Sequence, residues 1–156
     1  MDDKKFFVTN PQKSADKVTI NSFMMGSLFF VLTLIVSLDP KKFSPLVIYQ
    51  TVLAIPLLYV ASLSYSKVGY WKNTYAWDVL GWFTNTTGNL FVINAIGLVT
   101  AKFEPALAYT YFILFIILMS VYTLVNIIGS HHAWKQKLFK LLYLLLIIIV
   151  GGVLAI

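Results

Sequence analysis

Cysteine is absent from the 156 residues, and so is arginine, all twelve basic residues being lysine. Without cysteine there is no disulfide framework, no thiolate metal site and no thiol nucleophile. Without arginine there is no planar fork for bidentate recognition of carboxylate or phosphate. Charge itself is scarce, at 12% of residues against about 25% in soluble domains. The six acidic residues include no close pair suited to acid–base work. No Ser-His-Asp arrangement and no glycine-rich phosphate loop stands out, so no catalytic apparatus is expected. Internal repeats and low-complexity tracts are also missing.

What fills the chain instead is hydrocarbon. Hydrophobic residues make up 59% and the mean hydropathy is +0.81. A soluble chain of this length buries only about two thirds of the surface it exposes when unfolded and could not hide so much apolar area. The sequence therefore predicts an all-α integral membrane protein whose first partner is the lipid bilayer. A net charge of +6 would point to nucleic acid in a soluble protein. Here the lysines fall in short segments between apolar runs, where topology accounts for them and nucleic acid is not an expected partner. The apolar run starting at Val18 is too long for a signal-peptide core and reads as a retained helix.

A polar segment, 1–17, precedes a single bundle of five predicted transmembrane helices at about 18–38, 45–65, 77–100, 106–129 and 138–156, each near the ~20 residues that cross the hydrocarbon core. Asn10-Pro11 and Ser44-Pro45 have the form of a cap followed by a first-turn proline, and Asp39-Pro40 ends the first span. Pro56 removes a donor inside the second and should kink it. The 66–78 segment mixes Lys67, Tyr70, Trp71, Lys72, Tyr75 and Trp77, as residues at the headgroup level do. The 101–105 link is short enough to force the third and fourth spans into an antiparallel hairpin. Five spans place nine lysines (Lys4, Lys5, Lys13, Lys17, Lys67, Lys72, Lys135, Lys137 and Lys140) on one side and three (Lys41, Lys42 and Lys102) on the other. That bias predicts a cytoplasmic N-terminus and a C-terminus on the opposite side.

The third span is the one that does not read as lipid-facing. Between Trp77 and Asn94 it carries Thr84, Asn85, Thr86, Thr87, Asn89 and Asn94. At ~100° per residue, Asp78, Gly81, Thr84, Asn85, Gly88, Asn89 and Ala95 gather on one face. Gly81 and Gly88 allow close helix approach there, and Asn85 and Asn89 can hydrogen-bond across the contact. Asp78 is expected to cap the helix. Asn94 points elsewhere, with a partner expected near the level of Tyr109 or Phe112. In the fourth span Ser120, Thr123 and Asn126 form a second polar stripe, toward the end where antiparallel packing would bring Asp78 and Asn85. No carboxylate, lysine or histidine falls deep in a span, which speaks against a proton relay. His131 and His132 are candidates for metal only on their own, without further ligands beside them, so no cofactor is expected. The functional expectation is a non-enzymatic membrane protein, an accessory, assembly or oligomer-forming subunit using the third-helix face, associated with a second copy or another membrane subunit. The alternative is a small channel or carrier for a neutral solute lined by that same face.

Overall fold

The computed structural model describes residues 11–68, 70, 74–129 and 134–156, with Pro11 by its backbone alone. Among them the chain is all-helical: α1 (Pro11–Leu38), α2 (Pro45–Val68), α3 (Tyr75–Phe103), α4 (Pro105–Ile128) and α5 (Trp134–Gly151), with 3-10 turns at Pro40–Lys42 and Val153–Ala155. Four segments are long and apolar enough to cross a membrane: Gln12–Leu38, Pro45–Val68, Pro105–Ile128 and Trp134–Ala155. α3 is the longest helix, at 29 residues, yet its Asn and Thr residues keep it out of that set.

The local chemistry explains the boundaries. Proline opens α1, α2 and α4, where its fixed φ suits the first turn and its missing N–H costs nothing. The polar segment expected at 1–17 is thus helical from residue 11 and continuous with the first span. After Leu38 the chain turns on Asp39, whose φ of 84° lies in the left-handed region and whose carboxylate accepts from the Lys41 N–H at 3.1 Å. Aspartate tolerates that conformation because its short side chain bonds locally. Glu104 alone separates α3 from α4 and caps α4 by accepting from the Ala106 N–H at 3.4 Å. Pro56 lies on the exposed side of α2, which runs unbroken through it.

The chain forms two compact units, Met1–Val92 and Ile93–Ile156, and passes from one to the other inside α3. The first unit holds α1, α2 and the first part of α3. Positions in steps of three and four line the interior of both its leading helices. On α1 these are Ser14, Asn21, Leu28, Val31 and Ile35, with half-buried Lys17 and Met24 completing the series. On α2 they are Val47, Thr51, Ala54, Leu58, Ala61, Tyr65 and Val68. This is the heptad spacing of helices that cross at a shallow angle.

The second unit packs the end of α3 with α4 and α5 around Phe112. A Cβ built on Gly97 would collide with the Phe112 ring, and one on Gly152 would come within 2.6 Å of that ring and 2.8 Å of Asn94 Oδ1. Two glycines therefore let three segments close on one aromatic side chain. The fifth helix, expected to run to Ile156, stops at Gly151, where Gly152 leaves helical geometry with φ −124° and ψ −74°. Lipid-compatible surface is plentiful. α4 buries only Ala108, Phe112 and Thr123 and exposes Ile113, Leu114, Ile117, Leu118, Val121 and Val125.

Candidate functional site

The chemistry of the first unit is concentrated toward the start of α1, the end of α2 and the start of α3. Two hydrogen-bonded rungs join α1 to α2. In the outer rung the Lys17 ammonium donates to the Tyr65 hydroxyl at 2.9 Å and lies 4.3 Å from the centroid of the Tyr65 ring. One turn further in, Asn21 Nδ2 donates to Ser62 Oγ at 3.4 Å, and that hydroxyl donates to the Leu58 carbonyl at 2.9 Å. A step of four along α1 answers a step of three back along α2, as an antiparallel heptad pair requires.

α3 completes the site. Asn89 Nδ2 donates to Asn21 Oδ1 at 3.5 Å, so Asn89, Asn21, Ser62 and a backbone carbonyl form one directed chain across three helices. Asp78 is fully buried, and its carboxylate accepts from the Thr74 hydroxyl at 3.1 Å. It is also close enough to Tyr65 to act on the phenol electrostatically. Two amide oxygens, Asn85 Oδ1 and Asn89 Oδ1, are shielded from solvent and receive no hydrogen bond from the described residues. An acceptor in that condition costs about 1–3 kcal/mol relative to a satisfied one. The site thus combines amide donors already committed to neighbours with acceptors awaiting a donor.

The residues expected to act together are divided between the two units. Asp78 does not precede α3 as its cap; it lies in the first turn of a helix that starts at Tyr75, and Thr74 precedes that helix. Gly81 and Gly88 do allow close approach, but the space is filled by the chain's own α2. A Cβ on Gly81 would lie 3.0 Å from Tyr65 Cε1, and one on Gly88 2.9 Å from Leu58 Cδ2. The Thr84 hydroxyl returns to its own helix, donating to the Leu80 carbonyl at 2.7 Å. Asn85 and Asn89 each carry an unsatisfied oxygen, a condition that Ser14 Oγ and Asn94 Oδ1 share among the described residues. Ser120, Thr123 and Asn126 belong to the second unit. There Thr123 donates to the Met119 carbonyl at 2.8 Å and the Asn126 amide to the Tyr122 carbonyl at 2.9 Å, while the Asn126 carbonyl accepts from the Lys137 ammonium. Ser120 is half-buried. Asn94 does lie at the level of Phe112, both of them crowding Gly152. Its hydrogen-bond partner comes from α5, however, with Nδ2 donating to the Ile147 carbonyl at 3.1 Å.

His131 and His132 lie outside the described residues, as do Asn10, Trp71 and Lys72. Among the described residues no three His, Cys, Asp or Glu side chains gather to hold a metal ion.

Lys17, Asn21, Ser62 and Tyr65 are the site residues that the third-helix face does not disclose. For Lys17, Asn21 and Tyr65 the signal is the heptad register of α1 and α2, in which polar side chains occupy interior positions; Ser62 is half-buried beside that register. Lys17 is also a charged group near the start of a long apolar helix, and its side chain turns toward α2. No protein-family description, curated protein or solved structure matches the chain, so the reading of the site rests on its own geometry.

Proposed function

We propose that the chain is a five-span integral membrane protein, α3 being the polar span clothed by α1 and α2, and that its first unit binds a small neutral solute as a carrier does. The observation that supports this reading is the pair of buried, donor-less amide oxygens on Asn85 and Asn89. Asn89 belongs to the hydrogen-bonded chain that leads to Ser62, and Asn85 stands one helical turn before it on α3. Buried polar groups in folded proteins nearly always find a partner, so an unfilled pair of acceptors calls for water or a ligand donor. The amide and hydroxyl lining favours uncharged O–H or N–H donors. Beyond Asn21 the α1 face turns apolar through Leu28, Val31 and Ile35, which fits a binding site better than an open pore. No step of chemistry is assigned.

The test is reconstitution in liposomes with water, urea and glycerol permeability read by light scattering. Each intermembrane hydrogen bond is worth about 0.6–1.7 kcal/mol, so Asn85→Val and Asn89→Val should each lower the permeability of the recognised solute roughly threefold to twentyfold. Wild-type permeability equal to that of protein-free liposomes for all three would overturn the reading. Orientation is tested separately: a reporter fused to the C-terminus and active only outside the cytoplasm agrees with the lysine bias.

A second reading, an accessory or self-associating subunit, draws on the apolar α4 surface, where only three side chains are buried. A native mass larger than one chain plus its lipid belt would favour it.

A further inference from the structure

Resting on that reading of the seam, we infer that Lys17 and Tyr65 form its closure, controlling access from the outer end to Asn21, Ser62, Asn85 and Asn89. The outer rung lies one turn outside the Asn21–Ser62 rung on the same two helices, so it occupies the way in. The two partners differ in freedom. Tyr65 is fixed: its side chain is fully buried, its ring edge rests against the bare backbone of Gly81, and Asp78 lies near enough to influence its hydroxyl. Lys17 is the movable part. It is half-buried, stands one turn from exposed Lys13 and next to exposed Asp16, and reaches the phenol through a flexible four-carbon stem.

With the ammonium on the hydroxyl and 4.3 Å from the ring centroid, that stem lies across the tyrosine and shuts the seam. Swinging the ammonium outward to the headgroup level, as membrane-embedded lysines commonly do, uncovers the Asn21–Ser62 rung without moving a helix. The contacts given up include a charge-assisted hydrogen bond and a cation–π contact, both of a kind that water and lipid phosphate replace at the surface. Gly81 is part of the device, because a Cβ there would lie 3.0 Å from Tyr65 Cε1 and crowd the ring in its present position.

The absence of cysteine makes an accessibility experiment clean. Ser62→Cys supplies a single thiol behind the closure, and its rate of modification by a small, ammonium-bearing methanethiosulfonate is followed in reconstituted protein. Lys17→Met keeps the stem but not the ammonium. Tyr65→Phe keeps both the ring and the lysine charge, which separates opening from a change in reagent attraction. Each variant should raise the modification rate several-fold, and the double variant should add little, because both remove the same contact. Equal rates in the Ser62→Cys parent and in both variants built on it would overturn the closure while leaving a hydrated seam in place. No modification in any of them would overturn both. Faster modification without solute permeability in any form would leave the closure standing and remove the carrier reading.

Discussion

Replacing Asn85 by valine separates an adhesive amide from a binding one by the sign of the stability change. Asn85 Oδ1 is covered and receives no donor, so removing it takes away a penalty of about 1–3 kcal/mol. Valine approaches asparagine in bulk, and a near volume-conserving exchange costs less than about 1.5 kcal/mol in repacking. The net expectation is a gain of about 1 kcal/mol, or roughly 2–4 °C in the unfolding midpoint of a chain of this length. If water supplies the missing donor in the membrane, the sign is still not negative, since the variant then exchanges a hydrated acceptor for a buried methyl group. An amide acting as glue between helices behaves oppositely, its loss costing about 0.6–1.7 kcal/mol. Asn89→Val is the internal comparison. Its Nδ2 serves Asn21 Oδ1 at 3.5 Å, so the gain from deleting its own oxygen is offset by stranding that of Asn21, and little net change is expected. Thermal unfolding in mild detergent, followed by the ability to stay monodisperse on heating, gives the ranking; permeability of the same samples gives the function. Asn85→Val losing more than about 1 kcal/mol with permeability intact would refute the reasoning.

Gly152→Ala should cost about 1–3 kcal/mol, because its Cβ would enter within 2.6 Å of the Phe112 ring and 2.8 Å of Asn94 Oδ1. Combining it with Phe112→Leu should return part of that loss in a double-mutant cycle read by thermal unfolding. Gly26→Ala is the contrasting control: nothing lies within 4 Å of its Cβ position, and the substitution should be neutral or stabilising by up to about 1 kcal/mol. Thr74→Val removes the 3.1 Å hydrogen bond to buried Asp78 and should lower stability by about 0.5–1.5 kcal/mol, whereas Thr74→Ser should restore it.

Much of the fold is legible because hydrophobic run length and proline placement act locally. Pro11, Pro45 and Pro105 stand at helix starts, and the Asp39-Pro40 break falls where the tertiary amide forbids continuation. The last boundary was less legible: α5 ends at Gly151 and a 3-10 turn over Val153–Ala155 continues the apolar segment, while the crowding of Gly152 by Phe112 and Asn94 is a tertiary constraint that leaves no periodic trace in the run 138–156. The site was half legible. Composition singles out α3 and its asparagines, but a helical wheel for one helix cannot say what lies opposite, so Gly81 and Gly88 read equally well as contacts for a partner and for α2. The decisive pattern lay in two helices that look merely apolar. Ser14, Lys17 and Asn21 share the heptad face of Leu28, Val31 and Ile35, and a polar residue placed at an interior heptad position commonly specifies register at a cost in stability. Here three such residues follow one another on the same side as Tyr65 and Ser62. Register alone would need only one of them, and it would not leave acceptors on Asn85 and Asn89 without donors. The excess of interior polarity over what alignment of α1 with α2 requires is the physical argument that this end of the bundle is built to hold something other than its own side chains.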